Sequence, residues 1–288
     1  MEEKQSVAAK PWLSSYDEGV PATMVYPEIR LDQLLADSAA KYPGQKAIVF
    51  GARAGPGILD AAISYRQLDE AVSQIASSLQ QLGVSQGDRV AIVMPNCPQF
   101  VIVYYGILRA GAVVVPFNFL YSASELEHQL VDAGAEVVFV LCPYYQKVHS
   151  IRAGTRLRHV IVTSIKEHFP PLLRLLFTLT KETKGGHRVE LASPDDLWLA
   201  SLLEGPTQAL KPAEIDAQTT ACLLYTGGTT GVPKGAQLTH RNLVSNALAG
   251  LVWSSAQEGQ EVTIGALPLF HSYGMTSVMN MSIAGALT

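Results

Sequence analysis

Apolar residues recur at two different spacings along much of the chain, which predicts helices and strands in alternation. The three- or four-residue spacing of an amphipathic helix separates Leu68, Val72, Ile75, Leu79 and Leu82. Short apolar runs between such stretches predict the strands KAIVF (46–50), DRVAIVM (88–94), AVVVPFN (112–118), EVVFVL (136–141) and HVIVT (159–163). Strands this apolar are covered on both faces, so the alternation predicts an α/β fold with a parallel sheet flanked by helices.

Capping residues predict where several helices begin and end. Gly83 follows the amphipathic stretch and can end its helix in a left-handed conformation. Asn96 can cap the helix predicted over 98–109, and Ser122 begins a capping box with a glutamate three residues later. Thr239 can cap the helix of LTHRNLVSNALAGLVW.

Five further segments have weaker or different signals. Residues 29–42 predict a helix, and the turn-rich GARAGPG (51–57) is expected to end the first strand. Residues 193–204 predict a capped helix, in which two adjacent aspartates, Asp195 and Asp196, are its acidic start and not a catalytic carboxylate pair. The apolar runs ACLLY (221–225) and VTIGALPLF (262–270) predict two more strands.

These elements divide the chain into three parts. Residues 1–28 contain several prolines and predict an irregular segment, 29–215 a first αβ subdomain, and 216–288 the start of a second αβ subdomain that is incomplete. The apolar, helix-like run VMNMSIAGALT closes the sequence without a glycine cap or a polar tail. We therefore expect a fragment of a longer protein.

Composition and charge narrow the classes of function. Hydrophobic residues make up 48% of the 288 residues, which allows a large core, and the formal net charge of −4 gives no indication of nucleic-acid binding. The three cysteines match neither a disulfide framework nor a zinc site, so reduced thiols in a cytoplasmic protein are expected. There is no apolar run of about 18 residues that would predict a membrane-spanning helix.

One apolar segment has two interpretations. FPPLLRLLFTLTK (169–181) combines leucines with basic residues. The more ordinary interpretation is a helix packed on the core. The alternative is a patch that meets membranes or acyl chains, so peripheral contact with the inner face of a membrane is kept as a second expectation.

The loop between ACLLY and the next helix has the composition of a phosphate-binding loop. Glycines let backbone N–H groups approach an anion, and threonine hydroxyls and Lys234 add donors and a positive charge. It is not a Walker A loop, because Pro233 precedes the lysine and Gly235 follows it. It is not a dinucleotide fingerprint either, and a glycine-rich turn without a ligand is the remaining alternative.

The loop YTGGTTGVPKG (225–235) resembles the signature of adenylate-forming enzymes, with Gly227 in place of the usual serine, as in fatty-acyl-CoA ligases. The stretch 65–118 resembles the family's opening motifs, and LPLFHSYGM (267–275) resembles its next core motif. The resemblance covers about residues 29–288 and implies the large N-terminal domain of that family, with stacked βαβ sheets flanked by helices. Several motifs in the family's order are more specific than one.

The resemblance implies a two-step reaction and a set of site residues. A carboxylate and ATP give an acyl-adenylate and pyrophosphate, and coenzyme A then displaces AMP, with Mg²⁺ neutralising charge on the phosphates. His271 is the implied catalytic residue beside the carboxylate and adenylate. The implied phosphate-binding residues are Thr226, Gly227, Gly228, Thr229, Thr230, Gly231 and Lys234. The metal ligands are unknown, and the other histidines, His128 and His240 among them, are expected to be ordinary.

The acid and the completeness of the site stay open at this point. A medium- or long-chain fatty acid is favoured, and an aryl acid is the alternative. Small and apolar residues that could line an acyl tunnel, or only form an apolar helix, are Val278, Ile283, Ala284 and Gly285. The resemblance places an acidic metal ligand, a ribose-binding aspartate and a C-terminal domain with a catalytic lysine beyond residue 288, so the chain alone is predicted to be inactive. A carrier-loading adenylation module and a non-catalytic nucleotide- or acyl-binding protein are further alternatives.

Overall fold

The computed structural model describes residues 10–54, 57–206, 208–211, 215–226 and 233–288. The α-helices are α1 Leu31–Lys41, α2 Tyr65–Gln81, α3 Pro98–Arg109, α4 Ala123–Ala133, α5 Tyr145–Ile151, α6 Pro171–Thr180, α7 Leu199–Glu204, α8 His240–Trp253 and α9 Met281–Ala284. The strands are β1 Lys46–Ala54, β2 Gly57–Ser64, β3 Arg89–Val93, β4 Val113–Pro116, β5 Val137–Leu141, β6 His159–Thr163, β7 Asp196–Trp198, β8 Thr220–Thr226 and β9 Lys234–Thr239. Short 3₁₀ turns lie at Pro11–Ser15, Cys142–Tyr144, Arg152–Gly154 and Ile165–His168, and a π-helix at Gly274–Asn280.

Seven strands form one sheet in the order β7-β6-β5-β3-β4-β8-β9. All neighbouring pairs from β7 to β8 are parallel, and β9 alone runs antiparallel, beside β8. The register aligns Val90 of β3 with Val114 of β4 and Val137 of β5. β1 and β2 form a separate antiparallel hairpin. The prediction of a parallel sheet flanked by helices is therefore confirmed.

Helices cover both faces of the sheet, and its inner strands β3, β4 and β5 are buried and apolar at almost every position. In β3, Val90 and Ile92 face one buried cluster, which includes Phe100 of α3. The alternate residue Val93 faces a second cluster, which includes Leu126 of α4. The two-residue period of a strand thus sends successive side chains into two different cores. Tyr104 and Tyr105 of α3 are fully buried in the first cluster.

The helix-end signals were mostly reliable. Ser122 forms the predicted capping box of α4, and Thr239 caps α8 as predicted, through a capping box with Asn242. Gly83, two residues after the end of α2, has φ of 83°. The cap predicted at Asn96 is wrong: Cys97 precedes α3 without a side-chain cap, and the amide of Asn96 bonds to a distant segment instead. Because the side chain of Asn96 makes three hydrogen bonds to that segment, it is not free to cap α3.

Four other predictions of local structure are wrong. Residues 51–54, read as a loop, continue β1 and pair with β2. Residues 193–204 contain the short strand β7 before α7, and Asp196 is buried, accepting hydrogen bonds from Tyr145 and Arg152. Residues 262–270 contain no strand, and their apolar side chains are largely exposed. Strand β9 was not predicted, because its sequence KGAQLT lacks the apolar run of the other strands; it pairs with β8.

The division of the chain at residue 215 stays a prediction. β8 lies beyond that boundary, yet Cys222 pairs with Val114 of β4, so strands from both sides share one sheet. Within residues 10–28, the 3₁₀ turn Pro11–Ser15 is the regular element. In the described ranges, every helix falls short of the length or the apolar character needed to cross a membrane.

Candidate active site

The two ends of the threonine- and glycine-rich loop meet at the carboxyl edge of the parallel strands. Thr226 ends β8 and lies opposite Lys234, which begins β9. Both residues are exposed at this edge. The structure thus brings together the two described members of the predicted phosphate site. Its other predicted members, Gly227, Gly228, Thr229, Thr230 and Gly231, lie outside the described residues.

A tyrosine fixes the base of this hairpin to a neighbouring helix. The hydroxyl of Tyr225 donates a hydrogen bond to Asp132 Oδ2 of α4 at 2.5 Å. Burial, together with the adjacent carboxylate, raises the pKa of Tyr225 well above its usual value, so the phenol stays a donor. The backbone of β9 passes close to the ring, since a Cβ on Gly235 would lie 3.3 Å from Tyr225 Cζ.

His271 lies in a chain segment that is held mainly through its backbone. Its N–H donates to the carbonyl of Pro268 at 3.2 Å, and its carbonyl accepts from Met275 N at 2.8 Å. Gly274 allows this tight path, because a Cβ there would lie 2.2 Å from Pro268 O. The side chain of His271 is exposed and so remains accessible to a ligand.

Asn96 fastens the segment before His271 to the end of β3. Its Nδ2 donates hydrogen bonds to the carbonyls of Gly265 and Leu267, each at 2.8 Å. Its Oδ1 accepts from Leu269 N at 2.9 Å. One side chain therefore satisfies three backbone groups in a segment that has no sheet partners.

Aromatic contacts connect the same segment to the end of β4. Phe270 is buried and meets Phe119 edge to face, with ring centroids 5.6 Å apart. The ring of His271 lies 4.5 Å from that of Phe270. Because β4 lies between β3 and β8 in the sheet, the histidine segment and the β8–β9 hairpin are both anchored at neighbouring strand ends. Ligand sites of open parallel sheets lie at this edge.

A cavity of about 230 Å³ adjoins the Asn96 contacts. Its apolar wall includes Phe50, Cys97, Val101, Leu269, Val278 and Ile283. Two of the four residues proposed for an acyl tunnel, Val278 and Ile283, thus line it. The other two, Ala284 and Gly285, lie outside its wall, and Gly285 packs against Leu251 and Leu287.

His240, the first residue of α8, is buried. Its Nδ1 accepts a hydrogen bond from Leu31 N at 2.9 Å, and burial lowers its pKa to about 4. The neutral ring therefore joins α8 to the start of α1. Across the described part of the chain, no group of three histidine, cysteine or acidic side chains is placed to hold a metal ion.

Two contacts of this site were not found from the sequence. Asn96 carried a signal, but an asparagine just before a helix is read first as a cap. The bond between Tyr225 and Asp132 joins residues 93 positions apart, and no local pattern marks such a pair.

Comparison with known proteins gives the family. The family model for AMP-binding enzymes matches residues 35–288. A long-chain-fatty-acid–CoA ligase of Bacillus subtilis is 36% identical over 276 residues, which is 95% of this chain and 48% of the relative. A 4-coumarate–CoA ligase-like protein of Oryza sativa is 30% identical over 261 residues, or 90% of this chain and 41% of that protein.

A solved structure gives the same result for the fold. The crystal structure of a long-chain-fatty-acid-CoA ligase from Archaeoglobus fulgidus superposes with a TM-score of 0.74 at 26% identity, covering 94% of this chain and 48% of that one. The chain spans about half the length of the curated relatives it matches. Over that half, the chain belongs to the family of AMP-binding enzymes.

Proposed function

We propose that this chain is part of an ATP-dependent, AMP-forming fatty acid–CoA ligase. The observation that carries the proposal is the meeting of Thr226 and Lys234 at the same sheet edge as the anchored His271 segment. In the proposed reaction, a carboxylate oxygen attacks the α-phosphorus of ATP, and pyrophosphate leaves. The thiol of coenzyme A then attacks the acyl carbon, and AMP leaves.

The β8–β9 hairpin is proposed to hold the β- and γ-phosphates. Lys234 supplies a positive charge on a flexible stem, and Thr226 supplies a hydroxyl donor. Backbone N–H groups of residues 227–231 would complete the set of donors. The bond from Tyr225 to Asp132 keeps the root of the hairpin in place, so that the charge of Lys234 is positioned before ATP arrives.

His271 is proposed to contact the reacting carboxylate and the adenylate formed from it. Its side chain is exposed while its backbone is fixed by Pro268 and by the Asn96 contacts next to it. A fixed backbone with an accessible ring suits a hydrogen-bond donor that must meet negative charge on a substrate.

An apolar acyl group is proposed for the acid. The cavity beside Asn96 presents Val101, Val278 and Ile283, which favour methylene groups over charged ones. The names of the bacterial relatives support a long-chain fatty acid. An aryl acid is the second candidate, because the rice relative is named for 4-coumarate.

ATP and coenzyme A are the proposed co-substrates, and Mg²⁺ is the proposed metal. The described residues do not by themselves fit a magnesium site, since they hold no cluster of metal-binding side chains. None of them is therefore assigned to the metal. We also propose that these 288 residues alone do not complete the thioester step, since they span about half of each relative.

Acid-dependent ATP–pyrophosphate exchange tests this proposal. The assay uses the protein as encoded, from its first to its last codon, beside the 288-residue chain, with a panel of fatty and aryl acids. We expect exchange in the encoded protein to be fastest with long-chain fatty acids. Fastest exchange with aryl acids would favour the second candidate. ATP binding without exchange for any acid would favour a non-catalytic nucleotide-binding protein.

A further inference from the structure

A buried hydrogen bond joins helix α3 to the π-helix that follows the His271 segment. The hydroxyl of Tyr105, on α3, donates to Oδ1 of Asn280, the last residue of the π-helix, at 2.9 Å. Both side chains are fully buried, and Tyr105 lies in the first buried cluster together with Met275 and Ile283. A polar pair among apolar side chains loses its hydration on folding, and the hydrogen bond offsets that loss.

Stability alone does not explain a polar pair at this place. Apolar side chains of the same shape can replace both partners of a buried hydrogen bond at little cost in the free energy of unfolding. What the hydrogen bond adds is direction, since it fixes the distance and orientation of two groups, whereas apolar contacts are non-directional. The element that it fixes is a π-helix, a rare form that is frequent at functional sites. The bond between Tyr105 and Asn280 therefore suits a position that the protein has to keep.

The two elements that the bond joins also contribute to the wall of the cavity proposed for the acyl group. Val101 lines the cavity from α3, one helical turn before Tyr105. Val278 and Met279 line it from the π-helix, immediately before Asn280. Residues four apart lie on the same side of a helix, so the hydrogen bond lies next to the cavity. It ties the α3 part of the wall to the π-helix part.

We propose that the hydrogen bond from Tyr105 to Asn280 limits the length of the acyl chain that the cavity accepts. The inference rests on the proposed function, since the acyl group must lie in this cavity. While the bond is intact, the π-helix stays against α3, and Val278 and Met279 keep their places in the wall. Without the bond, non-directional apolar contacts hold the π-helix, so it can move and admit a longer acid. Tyr105 and Asn280 are thus positioning residues, which act through the wall and do not touch the acid.

The test is acid-dependent ATP–pyrophosphate exchange by the encoded protein with a series of saturated fatty acids that differ by two carbons. The measured ratio is kcat/KM for the acid two carbons longer than the best acid of the unchanged protein, divided by kcat/KM for that best acid. We expect the ratio to rise at least about fivefold in Tyr105→Phe and in Asn280→Leu, because the longer acid then finds room. The KM for ATP should stay within about twofold, because the proposed phosphate-binding residues are unchanged.

A double variant and a matched control separate positioning from a general loss of structure. Tyr105→Phe combined with Asn280→Leu should give the same ratio as either single change, because both changes break one bond and such effects do not add. Tyr145→Phe is the matched control, because Tyr145 is also fully buried, lies in the second cluster and donates a hydrogen bond to Asp196. This control also loses a buried hydrogen bond, yet its ratio should stay within about twofold of the unchanged protein.

Failure of this inference can be told apart from failure of the proposed function. Tyr105→Phe decides, because it removes a single oxygen atom and keeps the shape of the side chain. A smaller rise of the ratio in Tyr105→Phe, in a protein that is active with fatty acids, would overturn the inference alone, as would an equal rise in Tyr145→Phe. If the unchanged protein catalyses exchange with no fatty acid, the proposed function is overturned and this inference with it.

Discussion

Replacing Asn96 by alanine should loosen the segment that carries His271. The change removes three hydrogen bonds, two donated by Nδ2 and one accepted by Oδ1. A net contribution of about 1 kcal/mol each, reduced for partial exposure to solvent, gives a loss of about 2 kcal/mol in the free energy of unfolding. In a chain of this size that corresponds to a fall of about 5 °C in Tm.

Two measurements test this prediction, one on the whole chain and one on the segment that carries His271. Urea-induced unfolding reports the free-energy difference for the whole chain. Hydrogen exchange followed by mass spectrometry reports residues 263–275 separately, and their amides should exchange faster in Asn96→Ala. Asn118→Ala is the matched control, because Asn118 also follows a strand but, within the described part of the chain, its side chain bonds locally, to Leu120 N at 3.0 Å. Asn118→Ala should lower the free energy of unfolding by about 0.5 to 1 kcal/mol and leave hydrogen exchange at residues 263–275 unchanged.

Asn96→Asp separates the donor role from the acceptor role. The carboxylate keeps an oxygen for Leu269 N but turns the other toward the carbonyls of Gly265 and Leu267. Facing two carbonyls disfavours the charged form and raises the pKa of the new carboxyl. The variant should therefore be less stable than Asn96→Ala at neutral pH and regain stability as pH falls and a proton restores one donor. If Asn96→Ala changes neither the free energy of unfolding nor the hydrogen exchange at residues 263–275, Asn96 does not hold this segment in place.

Three further changes test other contacts of the site. Tyr225→Phe removes the hydrogen bond to Asp132, which should cost about 1 kcal/mol of stability and raise the KM for ATP in the encoded protein. Burial lowers the pKa of His240 from 6.5 to about 4, so the native state binds fewer protons than the unfolded chain, and this part of the stability should decline as pH falls from about 6.5 to about 4. His240→Asn should lack that part of the pH dependence. Gly274→Ala should destabilise by about 2–3 kcal/mol in urea unfolding, because its Cβ would meet Pro268 O at 2.2 Å.

Matched comparisons accompany the glycine and histidine changes. Gly265→Ala adds the same methyl group where nothing lies within 4 Å, so it should be near neutral. A cost equal to that of Gly274→Ala would contradict the steric argument. His168 is half-buried, and desolvation lowers its pKa to about 4, which places its contribution in the same pH window. The free energy of unfolding must therefore be measured for both His240→Asn and the unchanged chain at each pH, and the difference between the two compared.

The sequence predicted the elements whose signals are local and repeated. Apolar runs located β3, β4, β5 and β6, because a strand buried on both faces requires such residues throughout. The capping box at Ser122 and the cap at Thr239 located the starts of α4 and α8 for a similar reason, since both partners of each bond lie within three residues of one another. The residues that resemble the adenylate-forming signature located the loop whose ends are Thr226 and Lys234.

Two of the errors came from contacts between distant residues. Residues 262–270 are apolar like a strand, yet they form none, and the side chain of Asn96, far away in the sequence, bonds to their backbone. Asp196 resembles a helix start by position, but Arg152, 44 residues earlier, pairs with it in the core. A buried carboxylate with a cationic partner belongs to the tertiary structure, and no local rule anticipates it.

The most direct test of the central claim separates the two half-reactions in Lys234→Ala of the encoded protein. Adenylate formation is followed by pyrophosphate release, and thioester formation is followed from supplied acyl-adenylate and coenzyme A. Lys211→Ala, another exposed lysine, is the control. If the β8–β9 hairpin holds the phosphates of ATP, Lys234→Ala slows the first step at least about tenfold and leaves the second within about twofold. Equal loss in both steps, or the same loss in Lys211→Ala, would contradict the account.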